Sequence, residues 1–425
     1  MKEQLLHYVW QYKLFNTTKL TTVSGERIRI LQSGVYNRNS GPDFLNAKIE
    51  LENLLWFGHV EIHIKSSDWY AHHHENDTNY DAVVLHVVYE HDVEVFTSGN
   101  RKHYTVALKE LIDQDILIGY EKLFAKEKQW IPCEREMLSV GNFTLKNWLE
   151  RLYFERLEHK SKFITDLLKT SNFDFEAVLF KLLAKNFGLK VNGEAFLKLA
   201  ESIDFSILRK VRFDAHSLAA LLFGQAGFLD EDLEENYYLK LRDEYKYIKH
   251  KYQLKTLPKQ QFQFFRMRPN NFPTIRLAQL VALYHKTSSL FSELMHIGKL
   301  EDYYKIFSIE VNNFWKKHYT FDKVSKQTSK QLTKPFIDLL LINTIIPLKF
   351  VYMKQINQYD EEELLSLIRS INAEKNTIIS KFMDMGIAVN SALESQSLLQ
   401  LHNNYCITKS CLSCAIGNFL IRGKE

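Results

Sequence analysis

A chain of 425 residues is two to three times an average domain, which predicts one α/β unit plus a second body of comparable or greater size and excludes a single small module. With 45% hydrophobic and 25% charged residues, and only 15 glycines and 7 prolines, the composition excludes intrinsic disorder, collagen-like sequence and turn-dense sandwiches or propellers. The formal net charge of +4 supplies no global field for nucleic acid or an anionic membrane, so contact with either must rest on local patches.

In chain order, Leu5, Val9 and Tyr12 recur at helical spacing, and the spacing predicts a short amphipathic helix over 2–15. Glu3 and His7 interrupt that stretch, so it does not read as a secretory signal. From Lys19 the period changes: 27–31, 47–51 and 54–65 alternate, with Glu52-Asn53 as a turn, which predicts three antiparallel strands including a hairpin. A polar, histidine-rich segment follows. Val83 to Tyr89 is then a continuous β-branched run, the pattern of a strand covered on both faces. After Cys133 the period is helical, through 149–168, 175–190, 216–223, 275–297, 336–352, 361–383 and 391–402. The charged, tyrosine-rich stretch 231–255 reads as a solvated helix, and 222–228 as an inter-helix turn with no phosphate-loop Lys-Ser/Thr after it. Asp338, Asn343, Pro347 and Lys349 break the apolar stretch 335–353, which reads as a buried helix and not a membrane span. The expectation is a cytoplasmic protein without a membrane partner.

Chemistry concentrates in the first domain. Gly41-Pro42-Asp43-Phe44 precedes one strand, and Val60-Glu61-Ile62-His63-Ile64-Lys65 lies on its hairpin partner. Alternate strand residues share a face, so Glu61, His63 and Lys65 point one way while Val60, Ile62 and Ile64 pack the other. Two carboxylates on neighbouring strands can hold a hard divalent ion, and a basic group two residues on can position or deprotonate a water. An amphipathic hairpin with a solvated polar face is the alternative. Asp68-Trp69-Tyr70-Ala71-His72-His73-His74-Glu75-Asn76-Asp77 follows, and His72 and His74 with Asp68 or Asp77 suit a transition metal, a supporting role beside the site, or a plain polar loop. His86, inside the buried strand, reads as a hydrogen-bonded core histidine.

Pro42-Asp43, a hairpin, and Glu61-x-His63, preceded by a helix carrying Glu3, resemble the PD-(D/E)xK restriction-endonuclease-like nuclease superfamily. The resemblance implies a metal-dependent phosphodiesterase acting on DNA or RNA, with Mg or Mn held by Asp43 and Glu61 and, from the helix, Glu3. The superfamily lysine is His63 here, so either His63 takes that role, Lys65 reaches in from the same face, or the site is degenerate. In the last case the protein is a non-catalytic nucleic-acid-binding or scaffold protein that keeps the fold. Over the full length, Asn39 to Asp43, Val60 to His63, Ser67 to Trp69, Leu85 to Val88, Pro132-Cys133, Arg266 to Pro273 and the cysteine tail with Cys406, Cys411 and Cys414 resemble an uncharacterised bacterial domain-of-unknown-function family.

Cys406, Cys411 and Cys414 place three thiols within nine residues, and Cys133 is the one other cysteine. Three plus one suits a [4Fe-4S] cluster or tetrahedral Zn, with four free thiols as the third reading. Arg266, Arg268 and Arg276 surround a loop that leads into a helix near Thr274, where guanidinium groups suit phosphate or pin the loop to the helical body. The expected organisation is a restriction-endonuclease-like α/β domain at 1–135, an all-α body at 136–400 and a cysteine-containing tail at 401–425; protein partners are unknown from the sequence.

Overall fold

A computed structural model describes residues 2–97, 99, 102–124 and 129–423. The protein is mixed α/β, an N-terminal sheet followed by a helical body, and it divides into two compact units. The first holds 1–148, 384–387 and 401–425; the second holds 149–383 and 388–400. The cysteine-containing segment is therefore part of the first unit.

Helix α1 (Glu3–Gln11) buries Leu5, Leu6, Val9 and Trp10 completely. Strands β1 (Ile28–Gln32), β2 (Val35–Tyr36), β3 (Phe44–Leu51), β4 (Leu54–Lys65), β5 (Val83–Glu90) and β6 (Thr105–Ala107) make one sheet in the order β1-β3-β4-β5-β6, with β2 paired to β3. β1, β3 and β4 are antiparallel, whereas β4, β5 and β6 are parallel. Glu52 and Asn53 both take left-handed φ, +47° and +71°, the backbone of a tight two-residue hairpin whose twist matches that of its strands. Val60 to His63 are buried without a break, so both faces of β4 are covered there, and α1 packs on this strand. The parallel step from β4 to β5 needs a crossover. It is a short one, helix α2 (Asp68–Ala71) and two 3-10 turns, His74–Asn76 and Thr78–Tyr80.

The second unit is helical around a core that includes Phe180, Phe196, Phe223, Tyr238, Tyr284, Tyr303 and Trp315, each at most 1% exposed. Local chemistry divides two stretches that the periodicity joins. The 275–297 stretch is two helices, Pro273–Lys286 and Leu290–Met295, separated at the extended Thr287 and two serines, residues that favour non-helical backbone. The 361–383 stretch is Glu361–Ser370 and Thr377–Asp384, parted where Asn372 bridges to Ser391. The 336–352 stretch is one run from Lys334 to Gln355 that widens into a π turn at Leu341–Ile345, just before Pro347. Proline has no N–H for the carbonyl four residues back, and Lys160 donates to the Ile342 carbonyl (3.1 Å) and to Asn343 Oδ1 (2.9 Å) in that turn. This run is long and apolar enough to cross a membrane, and 78% of its apolar window is buried inside the protein. Helix Asn236–Tyr252, read as solvated, packs one face inward through Tyr238, Leu241, Tyr245 and Ile248.

Candidate metal centre

Glu3 and His7 are one helical turn apart, so α1 presents both on one face, and their side chains meet Asp43 at the start of β3. His7 Nε2 lies 3.4 Å from Glu3 Oε1 and 3.3 Å from Asp43 Oδ2. Asp43 and Glu61 are held by main-chain bonds across neighbouring strands: the Asp43 N–H donates to Glu61 Oε2 (3.1 Å), and the Ile62 N–H donates to Asp43 Oδ2 (3.0 Å). The other Glu61 oxygen, Oε1, faces His74 Nε2 at 3.4 Å and His63 Nε2 at 3.6 Å. His63 Nε2 is 3.1 Å from His72 Nδ1, and its Nδ1 is 2.9 Å from His86 Nε2.

Two ligand groups result, each with its donor atoms within 4.8 Å of one another: Glu3, His7 and Asp43, and His63, His72 and His74. Glu61 touches members of both. His7 Nε2 and His74 Nε2 are buried and make no aligned hydrogen bond, although carboxylate oxygens lie 3.3 to 3.4 Å away. Buried ring nitrogens seldom go unpaired. Nitrogens that approach carboxylates without aligning to them fit ligands directed at a common point, and the donor set, imidazole plus carboxylate, suits Mn, Zn or Fe better than the all-oxygen preference of Mg.

Electrostatics follow from depth. Side-chain exposure falls from 36% at Glu3 and 19% at Asp43 to 6% at Glu61 and 0% at His63, so the centre opens on the α1 side. Burial raises the Glu61 carboxyl to about 7, and the Asp43 charge adds to this against the opposing effect of the nearby His74. Burial likewise lowers His63 to about 3, helped by the neighbouring His72, His74 and His7, and pushes His86 well below the usual imidazole range. His7 goes the other way: burial disfavours its charge, but Asp43 and Glu3 outweigh that and raise it to about 10. His63 and His86 are thus held neutral, the form that ligates, whereas His7 is held as an imidazolium between Asp43 and Glu3 and must give up its proton to bind a metal. Tyr80 stacks on His74 at 3.8 Å, closing the inner wall.

The remaining candidates lie apart from this centre. Lys65 is exposed, its amide donates to Asp68 Oδ2 (2.9 Å), and its charge acts on Asp92. Asp68 thereby turns the chain into the crossover. Arg266 and Arg268 are exposed in the second unit, but Arg276 is 7% exposed, bonds Asn271 Oδ1 (2.6 Å) and Gln279 Oε1 (2.9 Å), and lies over the Phe336 ring. Its guanidinium pins the loop to the helical body and is not offered to a surface phosphate. Cys133, Cys411 and Cys414 are buried, Cys406 is half-buried, and none of the four is in a disulfide. His7 is the member of the centre that motif reading misses; the Glu3-x3-His7 spacing is the signal that could have found it.

No curated protein and no solved structure matches the chain. Residues 3–377 match the model of the family described as "Protein of unknown function (DUF2851)", and the chain belongs to that family.

Proposed function

We propose that the first unit is a metal-dependent phosphodiester hydrolase acting on nucleic acid, with its centre built from Glu3, His7, Asp43, Glu61, His63, His72 and His74. The observation that carries this reading is the meeting of two ligand groups across Glu61, which bonds to the Asp43 amide on one side and faces His63 and His74 on the other. The order of elements supports it: a helix bearing Glu3, an antiparallel meander bearing Asp43 and Glu61, then a crossover to a parallel strand, the arrangement that the PD-(D/E)xK resemblance implies. A bound divalent ion supplies an acidified water and positive charge for a phosphoryl oxygen. Asp43 and Glu61, fixed by each other's strand, hold their oxygens in place before any ligand arrives. His63 is enclosed and engaged at both ring nitrogens, which suits it to ligate or orient rather than to meet bulk water. Substrate approaches from the Glu3 and Asp43 side, where the centre is open.

One observation favours a second reading, nucleic-acid binding without cleavage: His63 occupies the lysine position, and Lys65 is exposed within the reach of Asp92. The test is calorimetric titration of the full chain with Mn, then incubation with single- and double-stranded DNA and RNA. Wild type should bind Mn and cleave at least one substrate, and Asp43→Asn should lose roughly 10²-fold or more of the cleavage, the equivalent of several kcal/mol of lost charge stabilisation. Nucleic-acid and Mn binding without cleavage favours the second reading. Cleavage that survives in Asp43→Asn places the chemistry elsewhere.

A further inference from the structure

The two ligand groups of the centre differ in chemistry and in depth. Glu3, His7 and Asp43 lie on the open side and bring two carboxylates to one imidazole, whereas His63, His72 and His74 bring three imidazoles with their donor atoms all within 4.8 Å of one another. His63 comes from β4, and His72 and His74 come from the crossover after it, on either side of the left-handed His73 (φ +60°). Glu61 stands between the groups. Its Oε2 accepts the Asp43 N–H (3.1 Å), and its Oε1 faces the inner imidazoles.

The inner distances are those of a coordination shell. Four donors bound at ~2.0–2.2 Å to a tetrahedral ion lie roughly 3.3 Å from one another. Three edges here are 3.1 Å (His63 Nε2 to His72 Nδ1), 3.4 Å (His74 Nε2 to Glu61 Oε1) and 3.6 Å (His63 Nε2 to Glu61 Oε1). Hydrogen bonding accounts for fewer of these approaches. A neutral His63 has at most one proton on Nε2 and cannot direct it at both His72 and Glu61, and His74 Nε2 is buried without an aligned bond among the described residues. An ion at the common point satisfies all four donors at once.

The rings are held in place for this. Tyr80 stacks on His74 at 3.8 Å, and Trp69, 1% exposed, meets the same ring edge-on at 5.4 Å. A ligating Nε2 puts the His63 ring proton on Nδ1, and that nitrogen faces Nε2 of the fully buried His86, on the neighbouring strand β5, at 2.9 Å. A hydrogen bond of this kind fixes the tautomer and orientation of a ligating imidazole.

We infer that His63, His72, His74 and Glu61 Oε1 bind a zinc ion of their own, separate from the ion on the open side, with His86 as the positioning residue behind His63. Three imidazoles favour zinc over the oxygen-seeking Mg and Mn, and four protein donors close the tetrahedron, as in structural sites. The inner ion pins the crossover to β4 and fixes Glu61, whose other oxygen is left to the outer group. The inference rests on the reading of this centre as a metal site, though not on the hydrolysis proposed for it.

The test strips the full chain with a chelator and titrates it with Co2+, followed by visible absorption, and then with Zn2+. The expected result is intense bands of four-coordinate cobalt that saturate at about one ion per chain and are displaced by zinc. His72→Ala, at an exposed position, should lose those bands and weaken zinc binding roughly 10-fold or more, while Glu3→Gln keeps them. His86→Leu should weaken zinc binding roughly 10- to 100-fold, and His86→Gln, whose amide oxygen accepts the same proton, should recover most of that, with circular dichroism showing that both are folded. Weak six-coordinate bands in the wild type, folded wild type that takes up neither metal, or bands unchanged in His72→Ala overturn the proposal; equal losses in the two His86 variants overturn the positioning role. Zinc held in this way by a protein that cleaves no nucleic acid supports the inner site and removes the hydrolase reading, and Mn-dependent cleavage by a protein that binds neither cobalt nor zinc does the reverse.

Discussion

Gly417→Ala perturbs the seating of helix Ala415–Arg422 on the turn that carries Cys411. A methyl at that position would lie 2.1 Å from the Cys411 carbonyl oxygen, 2.8 Å from its carbonyl carbon and 3.0 Å from its Cα. Ordinary contact begins at 3.4 Å, and the obstacle is backbone that cannot rotate aside, so the Cys411 turn must retreat by about an ångström or more from the helix. Inside a helix the exchange of glycine for alanine ordinarily stabilises by up to ~1 kcal/mol. Against that stands an overpacking cost of ~1–3 kcal/mol, at the upper end because the obstacle is backbone. The balance is a destabilisation of roughly 1–2 kcal/mol. Thermal melting followed by circular dichroism measures it. A variant that melts at or above wild type would refute the close seating of the Cys411 turn on the helix.

In the second unit, Gly224→Ala should destabilise by about 2–4 kcal/mol in urea, because the new methyl would fall 2.0 Å from Cγ of Tyr245, a ring fixed by hydrogen bonds to Gln225 Oε1 (2.9 Å) and Thr256 Oγ1 (2.8 Å); unchanged stability would mean that the two helices part freely there. Asp214 caps helix Ala215–Gln225 by accepting from the Ser217 N–H and hydroxyl, each at 2.8 Å, so Asp214→Ala should cost ~1 kcal/mol at pH 7. Partial burial opposes its ionisation, but these bonds outweigh that and hold the carboxyl below the ordinary 3.8. Its contribution is therefore complete above that value and is lost as pH falls below it; a gap between wild type and variant that stays constant down to pH 3 would contradict the assignment. At the metal centre, Glu61→Gln should weaken Mn binding roughly 10-fold or more in calorimetry while His63→Ala also lowers the melting temperature, since it leaves His72 and His86 without their shared partner; Mn affinity equal to wild type in both variants would remove the centre as a metal site.

Period and turn chemistry were enough to place β3, β4 and their hairpin, because each strand alternates and Glu52-Asn53 falls where the alternation resets. The run from Val83 to Tyr89 was legible as a covered strand for the opposite reason, an unbroken apolar, β-branched run without alternation. β2 and β6 were not, being two and three residues long, too short for any period to register. Helices Leu189–Glu201 and Phe205–Val211 escaped because Gly193, Asn192 and the Ser202-Ile203-Asp204 stretch interrupt their apolar pattern, and tertiary packing completes what local preference leaves open. In the centre, Asp43 and Glu61 stood out as strand neighbours. The role of His7 depends on how α1 lies against β4, and that of His74 on the left-handed turn at His73 (φ +60°); neither follows from spacing alone.

The first unit is discontinuous, and this sets an order on synthesis. A ribosome adding about 5–20 residues per second delivers Cys133 roughly a quarter of a minute to a minute before Cys406. Throughout that interval the sheet and its cluster of carboxylates and histidines are made but the last helix and three of the four thiols are not, while most of the 149–383 helices can already have collapsed. The nascent first unit must therefore keep an open berth for a segment still to come, and a chain released early would carry a finished helical body beside an unclosed sheet domain. Fragments that stop before residue 401 should accordingly mark the point at which quality control distinguishes finished from unfinished copies.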